Sequence, residues 1–177
     1  MYEKVIDAVE KLRKAMEEEG VDPTMGLPEE LFILSTAIVP TVNVDLFITN
    51  KKHQLLLSWR NDQYAGKGWH IPGGCVRLRE TMASRIKKTA WAELGSEIKF
   101  DPEPIVIRED IISEDRYWLS NQLERSHNIS FLFKCELPDS YKISDESGEI
   151  KWFDSIPEDL LPQHRNLYGD ILAHYFE

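Results

Sequence analysis

The chain predicts an α+β fold or a mixed-sheet sandwich on three observations. Helical and extended segments are interspersed without the regular βαβ alternation of a doubly wound fold. Residues 127–137 alternate with the period of a strand, Ile129, Phe131 and Phe133 on one face and Ser130, Leu132 and Lys134 on the other. Residues 66–95 pass from an apolar strand end through Pro72-Gly73-Gly74 into a helix that stops at Gly95. A length of 177 residues points to one domain, large enough to bury over half of the unfolded chain's surface.

Taken in order, residues 2–19 read as a helix, because Val5, Val9, Leu12 and Met16 recur at spacings of three and four and form one apolar stripe. Gly20 ends it, and residues 21–23 form a linker. The helix holds no candidate for chemistry, and its stripe is expected to pack on the domain or on a partner subunit. Residues 28–35 suit a second short helix with Pro28 in its first turn. Residues 38–49 alternate as a strand broken early by Pro40, residues 50–52 turn, and residues 54–59 form a second strand. Residues 81–94 lack Gly and Pro and are rich in good helix formers, with Gly95 just past the end. Residues 98–108 form a strand region interrupted by Asp101-Pro102-Glu103-Pro104. Residues 109–125 read as a loop or distorted hairpin, residues 138–148 as a polar loop, residues 149–153 as a last short strand and residues 160–176 as the closing helix.

Composition narrows the function classes. No apolar run approaches the roughly 20 residues needed to span a bilayer, and the charged N-terminus has no signal-peptide core. Two cysteines, Cys75 and Cys135, make no disulfide framework. A cytoplasmic protein without membrane partners is the expectation. The net charge of −10 argues against non-specific nucleic-acid binding. A nucleotide ligand remains compatible, since local arginines or a metal reverse the field inside a cleft.

The stretch from Gly66 to Gly95 carries the chemistry. Gly73 and Gly74 lack a Cβ, so their backbone approaches a ligand or a metal closely. Thr89 and Glu93 are four apart and share a helix face. A carboxylate beside a glycine loop suits a hard divalent cation. Trp69, Pro72, Gly73, Gly74, Glu80, Glu93 and Gly95 together resemble the Nudix box, written G-x5-E-x7-R-E-U-x-E-E-x-G-U with U aliphatic. The chain departs from it at Lys88-Thr89, which stands for the R-E pair, at Ala92, and at Ser96 in place of the last U. Of the three helix carboxylates only Glu93 remains. The run Ala92-Glu93-Leu94-Gly95 is similar to the same lesion in the GDP-mannose mannosyl hydrolase branch. That resemblance extends over residues 27–161 and includes Asp45 in a first strand and Trp59-Arg60-Asn61 after the second. It implies a Nudix-like mixed β-sheet sandwiched between helices, with residues 1–26 as an extra N-terminal helical extension and residues 27–177 as the Nudix hydrolase domain.

The resemblance also implies roles. Glu93, the backbone of Gly73, and Glu146 are the expected ligands of Mg²⁺ or Mn²⁺, Glu146 standing where the branch carries a metal-binding Gln. Glu80 is expected to be structural, paired with Lys88. Arg60 is the expected diphosphate contact, and its forked guanidinium suits phosphate oxygens. The branch's second arginine is replaced by Cys75, so Arg77 or Arg79 is the candidate to reach in from the same turn. Asp45 inside an apolar strand needs a partner or an outward face, and the resemblance makes it a nucleotide or sugar contact. His127, where the branch also has a histidine, is a candidate for proton transfer, a role that suits the imidazole side chain. Ser147 stands where the branch has a basic histidine, which leaves Asp145, Glu146, Glu149 and His127 as candidate bases.

The function implied is a metal-dependent hydrolase of a nucleotide sugar, most like a GDP-mannose mannosyl hydrolase, with water attacking the sugar carbon through an oxocarbenium-like state. Two alternatives stand beside it. One is a pyrophosphohydrolase attacking phosphorus, and the other is a non-catalytic nucleotide-sugar-binding module. The family and the extra helix point to a homodimer.

Overall fold

A computed structural model describes residues 2–62, 66–111, 127–143 and 149–177. The elements are α1 (Glu3–Glu18), α2 (Glu29–Ile38), β1 (Thr41–Ile48), β2 (Leu55–Asp62), β3 (Gly66–His70), β4 (Gly73–Cys75), α3 (Met82–Leu94), β5 (Lys99–Phe100), β6 (Val106–Ile111), β7 (His127–Glu136), β8 (Ile150–Phe153) and α4 (Pro162–Phe176). They build the α+β sandwich that the sequence predicts. One sheet runs β4-β1-β7-β5, with β6 pairing β7 beside β5. The other runs β3-β2-β8. β1 and β7 are parallel while the neighbouring pairs are antiparallel, so the first sheet is mixed.

Helices cover the sandwich from two sides. Ile86, Ala90 and Leu94 of α3 pack with Val44, Leu46, Phe133 and Cys135 on one face. Leu167, Tyr168 and Leu172 of α4 pack with Phe47, Leu57, Trp69 and Leu132 on the other. The alternation in β7 is therefore real, but both of its faces are buried, as happens when a sheet is covered on two sides. The end caps of α3 follow the sequence: the Thr81 side chain accepts from the Ser84 N–H, and Gly95 is left-handed at φ 63°.

Three boundaries differ from the sequence reading. α2 continues to Ile38 and extended structure starts only at Thr41. Pro40 holds Val39 extended at φ −136°, ψ 150°, so helix and strand cannot share these residues. The glycine stretch is not one loop. It is two short strands, β3 and β4, which belong to different sheets, and Ile71-Pro72 carries the chain across between them. The extended segment after the Asp101–Pro104 interruption runs to Ile111, so β5 and β6 lie end to end along β7; residues 112–126 lie outside the described residues.

The N-terminal helix stands apart. α1 buries none of its residues. Val5 and Val9 of its apolar stripe are each 58% exposed, so the stripe is not packed on the described domain. Removing residues 1–22 is expected to leave the metal affinity of each subunit intact, as read by metal titration. A truncated protein that folds yet binds no metal would place α1 inside the functional domain.

Candidate active site

Residues of β2, β3, β4 and β8 and the last turn of α3 come together at one place. A cleft of ≈ 520 Å³ opens there, lined among others by Ser58, Arg60, His70, Gly73, Glu93 and Glu149. Ser58 and Arg60 are two apart in β2 and point to the same side.

Glu93 sits at the centre. Its Oε1 accepts the Gly73 N–H at 3.0 Å and its Oε2 accepts the Ser58 hydroxyl at 2.9 Å. Burial pushes its carboxyl up to about 7; Ser58, the Gly73 N–H and Arg60 pull the other way, and the charge of Asp45 adds to the rise. His70 stands behind Ser58, its Nε2 2.9 Å from Ser58 Oγ and its Nδ1 2.9 Å from the Ile71 carbonyl. Burial, helped by Arg60, lowers its pKa to about 4, so the ring is neutral.

Counting protons shows what this arrangement favours. A neutral His70 that donates from Nδ1 to Ile71 must accept at Nε2. The single Ser58 hydroxyl proton is then wanted by both His70 and Glu93. Both are satisfied when Glu93 itself carries a proton and donates to Ser58. An ionised Glu93 leaves one acceptor short, a cost that a bound cation would offset. His164 continues the row, its ring centroid 5.6 Å from that of His70. Burial, then the charges of His70 and Arg60, lower its pKa to about 3.

Gly73 and Gly74 explain why glycine is required. A Cβ on Gly73 would lie 2.1 Å from Asp45 Oδ1, and one on Gly74 would lie 2.7 Å from Thr89 Oγ1. Thr89, which replaces a carboxylate of the box, is 4% exposed and packed beneath Gly74, not directed into the cleft.

The remaining candidates fall in several places. Arg60 lines the cleft and is ion-paired with Asp62. Asp45 is only 6% exposed, and its Oδ2 accepts the Tyr168 hydroxyl at 2.5 Å. It therefore has the partner its position demands, and not an outward face. Arg77 is not on the cleft; its guanidinium donates to the Met25 carbonyl and its backbone N–H to Glu80 at 3.0 Å. His127 is also off the cleft, 2.8 Å from Glu109 Oε1. The register Thr41↔Asn128 puts Asn128 on the face that Asp45 shares and His127 on the opposite one. Glu146, with Asp145 and Ser147, lies outside the described residues. Among the described residues no three His, Cys, Asp or Glu side chains form a complete metal cage.

Glu80 is paired as the sequence suggests, with more partners. Lys88 Nζ is 2.9 Å from Oε1 and Arg85 Nη2 is 2.6 Å from Oε2. Burial alone would raise this carboxyl, but Lys88, the Arg77 N–H and Arg85 outweigh it and hold it at about 2. Sequence reasoning passed over Ser58, His70 and Tyr168. The signal for the first two was present, since each interrupts an apolar run, and a polar side chain there needs a partner.

The raised pKa of Glu93 gives a pH signature. The folded state holds this proton more tightly than the unfolded one. Its stabilising effect is complete below the unfolded value of 4.5 and is lost as pH rises through about 7. Glu93→Gln mimics the protonated form. In metal-free protein it is expected to be more stable than the parent at pH 8 by about 3 kcal/mol and nearly equal to it at pH 4. Denaturant melts at both pH values check this; equal stability at pH 8 would show that the buried carboxylate carries no such cost.

Comparison with known proteins agrees with this architecture. The NUDIX domain profile matches residues 39–175. Low-salt glycan biosynthesis protein Agl8 of Haloferax volcanii is 26% identical over 141 residues, 79% of this chain and 87% of that protein. A MutT protein from Methanosarcina mazei Go1 superposes with a TM-score of 0.57 at 20% identity, over 78% of this chain and 97% of that one. A possible asymmetric diadenosine tetraphosphate hydrolase from Jonesia denitrificans gives 0.59 at 16% identity, over 78% and 96%. With a domain match over most of its length, the chain belongs to the Nudix family of hydrolases.

Proposed function

We propose that the protein hydrolyses a nucleoside diphosphate sugar in a metal-dependent reaction, releasing the nucleoside diphosphate and the sugar as a GDP-mannose mannosyl hydrolase does. The observation that carries this reading is the carboxylate inventory of the cleft. Thr89 is buried under Gly74, Ala92 has no ligand atom, and Glu93 alone of the box carboxylates faces the opening. That set suits one hard cation rather than several.

The fit is also electrostatic, because a bound cation would stabilise the ionised form of a carboxylate whose pKa burial has raised to about 7. Gly73, Glu93 and Glu146 would hold the Mg²⁺ or Mn²⁺, which when bound neutralises the diphosphate leaving group. Arg60 binds diphosphate oxygens from the β2 side. Ser58 and the Gly73 N–H fix the orientation of Glu93. With the leaving group stabilised, the sugar carbon is the place for water to attack. Of the candidate bases Glu149 lines the cleft, whereas His127 is engaged with Glu109. The name of the Haloferax relative, a glycan biosynthesis protein, supports a sugar-bearing substrate. The same reading makes the protein a cytoplasmic homodimer; among the described residues no helix is long and apolar enough to cross a membrane.

Turnover of GDP-mannose in oxygen-18 water tests the reaction. Label is expected in the sugar. Label in the phosphate would establish attack at phosphorus, and retained binding without turnover across a nucleotide-sugar panel would establish a binding module. Glu93→Gln is expected to lower turnover by at least about two orders of magnitude, the scale on which a charge-stabilising group acts. Arg60→Lys is expected to weaken substrate binding, because an ammonium loses the forked geometry; unchanged KM and kcat for Arg60→Ala would remove Arg60 from the site.

A further inference from the structure

The face of the first sheet that carries Asp45 is apolar at one end and polar at the other. At the apolar end α4 packs on Phe47 and Leu132, and Tyr168 closes over Asp45. In the other direction the register places Asn43 beside Cys75, Thr41 beside Asn128, and Asp110 beside Asn128, all on this same face. All five are half-buried.

Their side chains are already ordered. The Cys75 thiol donates to Asn43 Oδ1 at 2.8 Å, the Asn43 amide donates to Asn128 Oδ1 at 3.5 Å, and the Thr41 hydroxyl donates to the same Asn128 oxygen. With its oxygen accepting from both Thr41 and Asn43, Asn128 has its amide NH₂ left as the donor it can offer a ligand. The Thr41 hydroxyl oxygen and the Asp110 carboxylate, on the residues paired with it, add acceptors to the same edge. Each hydroxyl of a vicinal diol both donates and accepts, which suits this edge. An anionic group does not suit it. Asp110 is the one charged member, and the nearby cation on the face, Arg108, is held by Asp170 at 2.7 Å and by the Leu167 carbonyl. The patch begins at Cys75, two residues past Gly73, a step of about 7 Å along the strand. A ring attached to a diphosphate in the cleft spans that distance.

We propose that Thr41, Asn43, Asn128 and Asp110 form a subsite for the vicinal hydroxyls of the sugar ring, hexose or ribose, joined to the diphosphate. This rests on the reading of the Glu93 cleft as a diphosphate site. It adds the residues that select what the diphosphate carries.

Asn128→Leu and Asn43→Leu keep approximate size and remove the hydrogen bonds. Binding of pyrophosphate, GDP, 2′,3′-dideoxy-GDP and GDP-mannose is measured by calorimetry with Mg²⁺. Both variants are expected to bind pyrophosphate as the parent does, which also reports that they fold, and to lose at least about tenfold in affinity for the hydroxylated ligand that the site reads. If that diol is the hexose, the loss is in GDP-mannose alone. If it is the ribose, the parent prefers GDP to the dideoxy form and the variants do not. Unchanged affinity of the variants for GDP and GDP-mannose overturns the subsite and leaves the cleft reading standing. A parent that binds pyrophosphate but gains nothing from any hydroxylated ring also overturns the subsite. A parent that does not bind pyrophosphate overturns the cleft reading and the subsite with it.

Discussion

At Gly73 and Gly74 the backbone passes through a gap with no room for a side chain on either side. A Cβ on the first would meet the Asp45 carboxylate, and one on the second would meet Thr89 and Arg85 of α3. This double close approach locks β4 to β1 on one face and to α3 on the other. It also brings the Gly73 N–H to Glu93. A larger residue at either place would part the strand from its neighbour or lift the helix, and the carboxylate would lose its seat. Asp45 and Thr89 are thus as much a part of the site's geometry as the groups that line the cleft.

The helix between the glycines and Gly95 separates two carboxylates into opposite electrostatic states. Glu80, before its first turn, is enclosed by Lys88, Arg85 and the Arg77 N–H, and is held low at about 2. Glu93, in its last turn, has burial as the dominant influence and is raised to about 7. A group already saturated with cationic partners has nothing left to give a ligand, so Glu80 is structural. A group whose charge is poorly compensated gains most from a visiting cation, and shifts of this kind cluster at functional sites. The division of labour follows from surroundings, not from residue type.

How much of this was legible in the sequence depends on which physical signal each residue carried. The period of β7, the glycines and the caps of α3 are local, and local pattern was enough for the fold. Glu93 was singled out by the spacing of the box and Arg60 by the resemblance, and both line one cleft. The order of the two sheets was not legible, because nothing in residues 66–75 records that the chain changes sheets at Ile71-Pro72. Arg77 illustrates the same limit. A guanidinium next to the glycine turn was within reach of the cleft by sequence distance, but the Met25 carbonyl, 52 residues away, holds it elsewhere. The tie between Asp45 and Tyr168 spans 123 residues and is likewise tertiary.

The way β7 is placed has a consequence for how the chain reaches this structure. β7 is the hub of the first sheet, paired with β1 in parallel along its length and with β5 and β6 along its other edge. The parallel partner is distant in the chain, with Thr41 and Asn128 separated by 87 residues. Closing so large a loop costs conformational entropy before any strand pairing rewards it. The backbone hydrogen bonds of α3 and of the β2–β3 hairpin are local and do not require that closure. The β1–β7 pairing and the still longer-range β2–β8 pairing, which joins Leu55 to Phe153, therefore organise late, and the first of them delivers Asp45, Asn43 and Asn128 to a common face. Helix α3 and the β2–β3 hairpin are thus local structure, whereas the face that carries Asp45, Asn43 and Asn128 exists only once distant strands have paired.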